Sequence, residues 1–282
     1  MKIVPLSNQM GADILDVDLA HLDDADFGRI YQAWLDHLVL RFRDQVVTED
    51  DLQAFSQRFG PLEEMPLGRL PEELRRKIKN RYVTVISNIV VDGRPIGALG
   101  NAEANWHSDM SYIDTPPTAS VLLSVEIPPE GGATYFSNQY AAYAALPQSL
   151  KQRIAGLTIK HDAAHTSVSE LRPGFEQPKS PIDAPGAVHP IVQVHAETGR
   201  ELLYLGRREW AYVVGLSLAD SERLLDELWS YAARPEFVWR QDWRVGDLIV
   251  WDNRCSLHRR DEFDPAMRRL MRRCQVLAKV TA

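Results

Sequence analysis

The chain has 282 residues, enough to bury one sizeable core, and its 45% hydrophobic and 25% charged residues exclude a disordered or fibrous class. A net charge of −7 argues against a partner whose phosphates must be neutralised, so a small molecule is the expected ligand. No apolar run reaches membrane-span length, Met1 to Leu6 lack the features of a signal peptide, and two cysteines, Cys255 and Cys274, are too few for a disulfide framework. The expectation is a soluble cytoplasmic protein with one domain, residues 1–282, and neither nucleic acid nor membrane as partner.

In chain order, residues 14–17 read as a strand. An amphipathic helix follows around residues 24–37, with Phe27, Ile30, Trp34 and Leu38 on one stripe. Residues 38–42 read as a strand. Thr48 with Asp51 three residues later resembles a capping arrangement, opening a helix through Leu52, Phe55 and Phe59 that stops at Gly60. The β-branched, alternating stretch 82–87 predicts a strand, and the Gly-rich segment 92–100 after it predicts a mobile loop. From Thr118 onward short β-type stretches recur at 119–127, 134–136, 157–161, 187–194 and 202–205. A helix from Ser217 through Leu224, Leu225, Leu228 and Trp229 interrupts them. Strands at 237–241, 247–251 and 269–280 complete the chain. Many short strands with few helices predict a mainly β protein with flanking helices, a sandwich or barrel and not a doubly wound sheet. Lid loops are expected near residues 90–105 and 163–190, the second carrying Pro173, Gly174, Pro178, Pro181, Pro185 and Gly186.

Asn105-Trp106-His107-Ser108-Asp109 places an imidazole and a carboxylate two residues apart. In extended backbone positions i and i+2 point to one side, so both can reach one ion. His258 follows the apolar strand Leu248-Ile249-Val250-Trp251, whose end can deliver a third ligand. Two histidines and one carboxylate form the facial triad of non-haem iron oxygenases. His107, Asp109 and His258 are therefore the expected metal and catalytic residues. His21, His37, His161, His165, His189 and His195 lack a carboxylate at i+2 and read as structural or solvated.

Further segments complete a pattern: Phe42-Arg43-Asp44-Gln45, Gln57-Arg58-Phe59-Gly60, Thr115-Pro116-Pro117, Gly131-Gly132-Ala133-Thr134, Trp251-Asp252-Asn253-Arg254 and Arg268-Arg269-Leu270-Met271-Arg272-Arg273. Together with the His-x-Asp motif and His258, their order and spacing resemble the taurine dioxygenase and chlorophenoxyacetate dioxygenase family over nearly the whole chain. The resemblance implies a double-stranded β-helix, the jelly-roll (cupin-like) core of these oxygenases. It implies Fe(II), 2-oxoglutarate as cosubstrate, and O2, with Thr134 and Arg269 binding the distal carboxylate of 2-oxoglutarate and Arg273 facing an acidic group on the substrate. Alternation agrees, placing Arg269, Met271, Arg273 and Gln275 on one face, while Arg268 and Arg272 read as decoration of an exposed edge strand. Taurine dioxygenases carry a sulfonate-binding histidine where this chain has Met65. That departure points away from taurine itself, while Cys255-Ser256-Leu257-His258-Arg259 and the Phe263-Asp264-Pro265 turn look closer to the aryloxyalkanoate branch. Met65, Tyr112 and the 92–100 loop are the expected pocket wall.

The implied reaction hydroxylates a small anionic organic substrate, an aryloxyalkanoate-like carboxylate or an alkyl sulfonate, and releases succinate and CO2. A homo-oligomer, dimer or tetramer, would fit the family. Two other readings compete. A non-catalytic jelly-roll protein that binds metal or a small acid has no need of Arg269 and Thr134 beside the metal. A zinc hydrolase lacks a glutamate spaced to serve as general base.

Overall fold

The computed structural model describes residues 1–65, 72, 78, 80–101 and 104–279. Strands β1 (Lys2–Pro5) and β2 (Ala12–Leu15) open the chain and lead into helix α1 (Asp24–His37). Asp23 caps α1 by accepting the Asp26 N–H, and Leu38, at φ 65°, ends it by donating its N–H to Trp34 O. Strand β3 (Val39–Phe42) precedes α2 (Glu49–Gln57), whose Thr48 and Asp51 form the reciprocal capping box expected from the sequence. Next come β4 (Thr84–Ser87), the hairpin β5 (Val90–Val91) and β6 (Arg94–Pro95), β7 (Ala98–Leu99), β8 (Ala104–His107), β9 (Ala119–Glu126) and β10 (Thr134–Asn138). Helices α3 (Gln139–Ala144) and α4 (Gln148–Ile154) lead to β11 (Thr158–Lys160), β12 (Val188–Pro190), β13 (Val192–Val194), β14 (Glu201–Leu203) and β15 (Tyr212–Val213). Helix α5 (Leu218–Ala232) and strands β16 (Val238–Gln241), β17 (Leu248–Asp252), β18 (Ser256–Arg260) and β19 (Leu270–Val276) finish the series.

Among the described residues the fold is mainly β with few helices. The largest sheet runs β1-β2-β3-β17-β9-β19-β4-β7, and a smaller one runs β16-β10-β18-β8. Alternation explains how the large sheet serves two cores. Val121 and Leu123 of β9, Leu248 and Val250 of β17, and Cys274 and Val276 of β19 bury against Ile30, Trp34, Leu52 and Phe55 of α1 and α2. The intervening Leu122, Ile249, Trp251 and Met271 point the other way and meet Phe136 and Trp239 of the small sheet. Each buried large side chain contributes on the order of 1.5–3 kcal/mol. The site opens from this second space, between the sheets.

Several expectations change. Strand β19 is not an edge but lies between β9 and β4. Arg272 therefore reaches across the large sheet's helical face to Glu49 of α2 at 3.1 Å, and Arg268 pairs with Glu126 of β9 at 2.7 Å. The 92–100 segment is no plain loop, because it holds part of the β5–β6 hairpin and β7, which pairs parallel to β4. The stretch 187–194 divides at buried Ile191 into β12 and β13, which join different sheets. Helices α3 and α4 are too short for a 3.6-residue period to stand out, and the sequence reading missed both. Strand β19 ends at Val276, while Val280, and residues 102–103 of the first expected lid, lie outside the described residues. No helix among the described residues is long and apolar enough to cross a membrane.

Candidate active site

The register of the small sheet sets His258 of β18 directly opposite His107 at the end of β8. Their ring centroids are 4.1 Å apart. Asp109 sits just past β8, where Asn253, at the β17–β18 turn, grips the chain. The Asp109 N–H donates to Asn253 Oδ1 at 2.7 Å, and Asn253 Nδ2 donates to Asp109 O and Pro117 O, each at 2.9 Å. This holds Asp109 Oδ1 at 3.8 Å from His107 Nε2 and 3.9 Å from His258 Nε2. The three ligand atoms lie within 4.8 Å of one another.

The donor set fits a divalent metal. His107 Nδ1 is 2.7 Å from Asn105 O, a pure acceptor, so Nδ1 carries the proton and Nε2 turns its lone pair toward Asp109. The Ser120 hydroxyl donates to Asp109 Oδ2 at 2.8 Å, leaving Oδ1 as the oxygen facing the histidines. Burial lowers the pKa of His107, and burial together with His107 pushes His258 down to about 3, so both imidazoles are neutral ligands at ordinary pH. Burial alone would raise the Asp109 carboxyl. Arg273, His258, His107 and Ser120 outweigh it and hold the group well below the usual carboxylate range.

A second pocket wall lies along β19 and β10. Arg269 is buried, has no carboxylate partner among the described residues, and its Nε lacks any hydrogen bond. Burial and the neighbouring Arg260 lower it to about 9, the mark of a cation without its anion. A Cβ on Gly132 would stand 3.6 Å from Arg269 Nε, so the Gly-Gly turn before β10 passes close to this guanidinium. Thr134 is buried at the start of β10, and its oxygen accepts Trp243 Nε1–H at 2.9 Å, which leaves the hydroxyl proton free to donate. Arg273 points toward the metal cluster, with Nη1 3.4 Å from both Asp109 oxygens and Nη2 3.2 Å from Gln275 Oε1.

Tyr112 is near enough to Asp109 and Arg273 that both act on its phenol. Met65 is half-buried, its N–H donating to Arg81 O at 2.8 Å. Two residues earlier, Glu63 meets the site: burial raises its pKa, Arg273 opposes that shift and Asp109 adds to it. The sequence reading did not single out Glu63, Ser120, Asn253 or Trp243. Ser120 is a polar interruption in an apolar strand and Asn253 lies in a quoted motif, so both had a faint signal. Trp243 had none.

A second group, His195, Asp252 and Cys255, also lies within 4.8 Å. Its donors are occupied. His195 Nε2 donates to Asp252 Oδ2 at 3.1 Å, while Nδ1 accepts the N–H groups of Glu197 and Thr198. His189 is similarly engaged, through Nε2, with the carbonyls of Ser111 and Ile113. Both histidines keep the hydrogen-bonding roles that the sequence suggested.

A family profile described as taurine catabolism dioxygenase TauD, TfdA family matches residues 2–275. The (S)-phenoxypropionate/alpha-ketoglutarate-dioxygenase of Sphingobium herbicidovorans is 35% identical over 287 residues, covering 95% of this chain and 92% of the relative. The alpha-ketoglutarate-dependent 2,4-dichlorophenoxyacetate dioxygenase of Cupriavidus pinatubonensis is 35% identical over 283 residues, covering 97% and 96%. A crystal structure of a taurine dioxygenase from Burkholderia xenovorans superposes with a TM-score of 0.79 at 32% identity, covering 99% of this chain and 90% of that one. The chain belongs to the TauD/TfdA dioxygenase family. It is a 2-oxoglutarate-dependent dioxygenase, an oxidoreductase that uses Fe(II), 2-oxoglutarate and O2.

Proposed function

We propose that His107, Asp109 and His258 hold the iron, that Arg269 and Thr134 take the distal carboxylate of 2-oxoglutarate, and that the substrate is a small organic anion, an aryloxyalkanoate-like carboxylate or an alkyl sulfonate. The observation that carries this reading is the pairing of three mutually facing, neutral-or-anionic ligand atoms with a buried guanidinium that has no carboxylate partner among the described residues. The two curated relatives, named for phenoxypropionate and 2,4-dichlorophenoxyacetate, support the choice of an aryloxyalkanoate. The double-stranded β-helix is our reading of the two apposed sheets, and we take residues 1–282 as one cytoplasmic domain that forms a homo-oligomer. The segments near 90–105 and 163–190 serve as its lids.

Iron with 2-oxoglutarate and O2 supplies, when bound, the oxidising power to hydroxylate a C–H bond while succinate and CO2 are released. The chain's own residues supply position. Asn105 O fixes the His107 tautomer, Ser120 and Arg273 hold the Asp109 carboxylate in one orientation, and Asn253 locks the backbone that carries it. Phe136 and Trp251 pack around His258 and keep its side of the site dry, with ring centroids at 6.1 and 4.9 Å. Arg269, with the Thr134 hydroxyl beside it, would hold the distal carboxylate of the cosubstrate, and its guanidinium offers a charge-assisted fork for that group.

The test is anaerobic addition of iron(II) and 2-oxoglutarate, followed by a succinate-release screen over aryloxyalkanoates, sulfonates and sulfate esters. A weak visible charge-transfer band and anion-dependent succinate are expected. A protein that binds iron but develops no band with 2-oxoglutarate would overturn the assignment.

A further inference from the structure

Arg273, the residue that the resemblance matches to substrate recognition, turns one edge of its guanidinium to the metal ligands. Its Nη1 lies 3.4 Å from both oxygens of Asp109, and its Nη2 donates to Gln275. Its Nε is buried and has no hydrogen-bond partner among the described residues, so the guanidinium keeps one donor for an anion.

The irregular segment after β11 brings another cation to the same space. Buried Asp162 organises that segment: Oδ1 accepts the Ala164 N–H at 2.8 Å, and Oδ2 accepts the His165 imidazole at 2.9 Å and the Arg207 guanidinium at 2.6 Å. Arg172 is fastened to the resulting turn at two points. Its N–H donates to Ala164 O at 2.7 Å and its Nε–H donates to His165 O at 3.1 Å. The guanidinium carbon then rests 4.4 Å from the centroid of the Tyr112 ring. Arg172 has no ion pair among the described residues, unlike Arg207, which pairs with Asp162, and Arg208, which pairs with Glu222 and Asp226. Tyr112 follows Asp109 by three positions. Arg172 thus stands on the ring of a residue one turn of chain beyond a metal ligand.

We propose that Arg172 is a second reader of the substrate's charge beside Arg273: fixed through its backbone N–H and Nε and laid against Tyr112, it offers Nη1 and Nη2 to a carboxylate, sulfonate or sulfate oxygen. This rests on the oxygenase reading above. A fork anchored at Nε loses little freedom on binding an oxyanion, and stacking on an aromatic face suits guanidinium better than ammonium.

The test uses the iron-loaded protein with phenoxyacetate, (S)-phenoxypropionate, hexanesulfonate and hexyl sulfate as probes, following succinate release and, separately, probe binding by calorimetry without O2. The four probes distinguish which oxyanion is preferred. For the best probe, Arg172→Gln should raise KM and the calorimetric Kd by about one to two decades, the scale of a lost charge-assisted bond. The KM for 2-oxoglutarate should move less than about twofold by comparison, because Arg269 and Thr134 are untouched. Arg172→Lys, which keeps the charge but not the fork, should recover part of the loss. The neutral amide of the same probe should bind native and variant proteins equally. If the native protein develops the keto-acid band and Arg172→Gln binds the anion as tightly as native, this inference falls and the oxygenase reading stands. If the native protein develops no band, both fall together.

Discussion

Two clusters in this molecule are built from nearly the same residue types, and only one is suited to hold a metal. His107, Asp109 and His258 form the first, His195, Asp252 and Cys255 the second, and in each the potential ligand atoms lie within 4.8 Å. The difference lies in the partners those atoms already have. Asp252 Oδ1 accepts the backbone N–H and Nε–H of Arg254, and Oδ2 accepts Arg254 Nη2 and His195 Nε2. Both His195 nitrogens are engaged, and burial raises Cys255 well above the usual thiol range, so its sulfur stays protonated. In the first cluster the two Nε2 atoms and Asp109 Oδ1 face one another at 3.8 and 3.9 Å, too far for hydrogen bonds. A metal site is therefore recognised by donors that converge with their lone pairs still uncommitted, here two imidazole nitrogens and a carboxylate oxygen that has only a long 3.4 Å contact to Arg273, and not by composition.

The sharpest way to break this comparison is to exchange the fates of the two clusters by mutation. His107→Ala, Asp109→Ala or His258→Ala should each lose stoichiometric iron and both substrate-coupled and uncoupled 2-oxoglutarate turnover, measured by metal analysis and succinate release. His195→Gln should retain iron. Asp252→Ala should also retain it in whatever protein folds, but should lower stability by about 3 kcal/mol, because it takes the carboxylate from buried His195 and leaves partly buried Arg254 with Glu197 alone. Near-normal iron in any triad variant, or iron loss in folded His195→Gln, would reverse the assignment of the two clusters.

Arg269→Ala tests the other half of the site at a smaller scale. Removing the guanidinium should raise the KM for 2-oxoglutarate by about one to two decades while iron content stays near native, since one charge-assisted bond is lost and no ligand is. An unchanged KM would transfer the carboxylate clamp to a different cation of the pocket.

How much of this was legible in the sequence follows from which forces leave a local trace. Helix α1 was legible from its apolar stripe, and α2 from its cap as well, because Thr48 and Asp51 act within one turn. The His-x-Asp spacing was legible for the same reason, and Arg269 and Arg273 were placed by strand alternation together with family resemblance. What escaped depends on pairings distant in sequence. The clamp of Asn253 on Asp109 spans 144 positions, and the Trp243 bond to Thr134 spans 109. The mistaken edge strand has the same origin: four arginines in six residues look solvated until Glu126 and Glu49 are brought beside two of them. Arg172 lay inside a stretch read only as a lid, because nothing in its neighbours announces Tyr112 or Asp162.

Outside both clusters stands a histidine that has open donor atoms but no carboxylate to share a metal with, and its effect is on stability and not on turnover. Both ring nitrogens of His161 are buried and lack hydrogen-bond partners among the described residues, and the ring packs between His189 at 5.1 Å and Tyr204 at 5.4 Å. Burial, with His189 adding to it, pushes His161 down to about 3. The unfolded chain returns the group to about 6.5, so the unfolded state binds a proton that the folded state refuses. The neutral ring therefore imposes no proton-linked penalty above pH 6.5, and stability drains away as pH falls from there toward 3, at up to about 1.4 kcal/mol per pH unit for one proton. In His161→Phe that linkage disappears. Any packing cost of the larger ring shifts the variant's whole stability curve without altering its slope, so the comparison survives an imperfect fit. Urea unfolding of both iron-free proteins at pH 7, 6, 5 and 4 should show native stability falling more steeply than the variant's, with the gap in slope approaching one proton below pH 6. Parallel curves would mean that His161 protonates in the folded state, and that its cavity admits water or an anion.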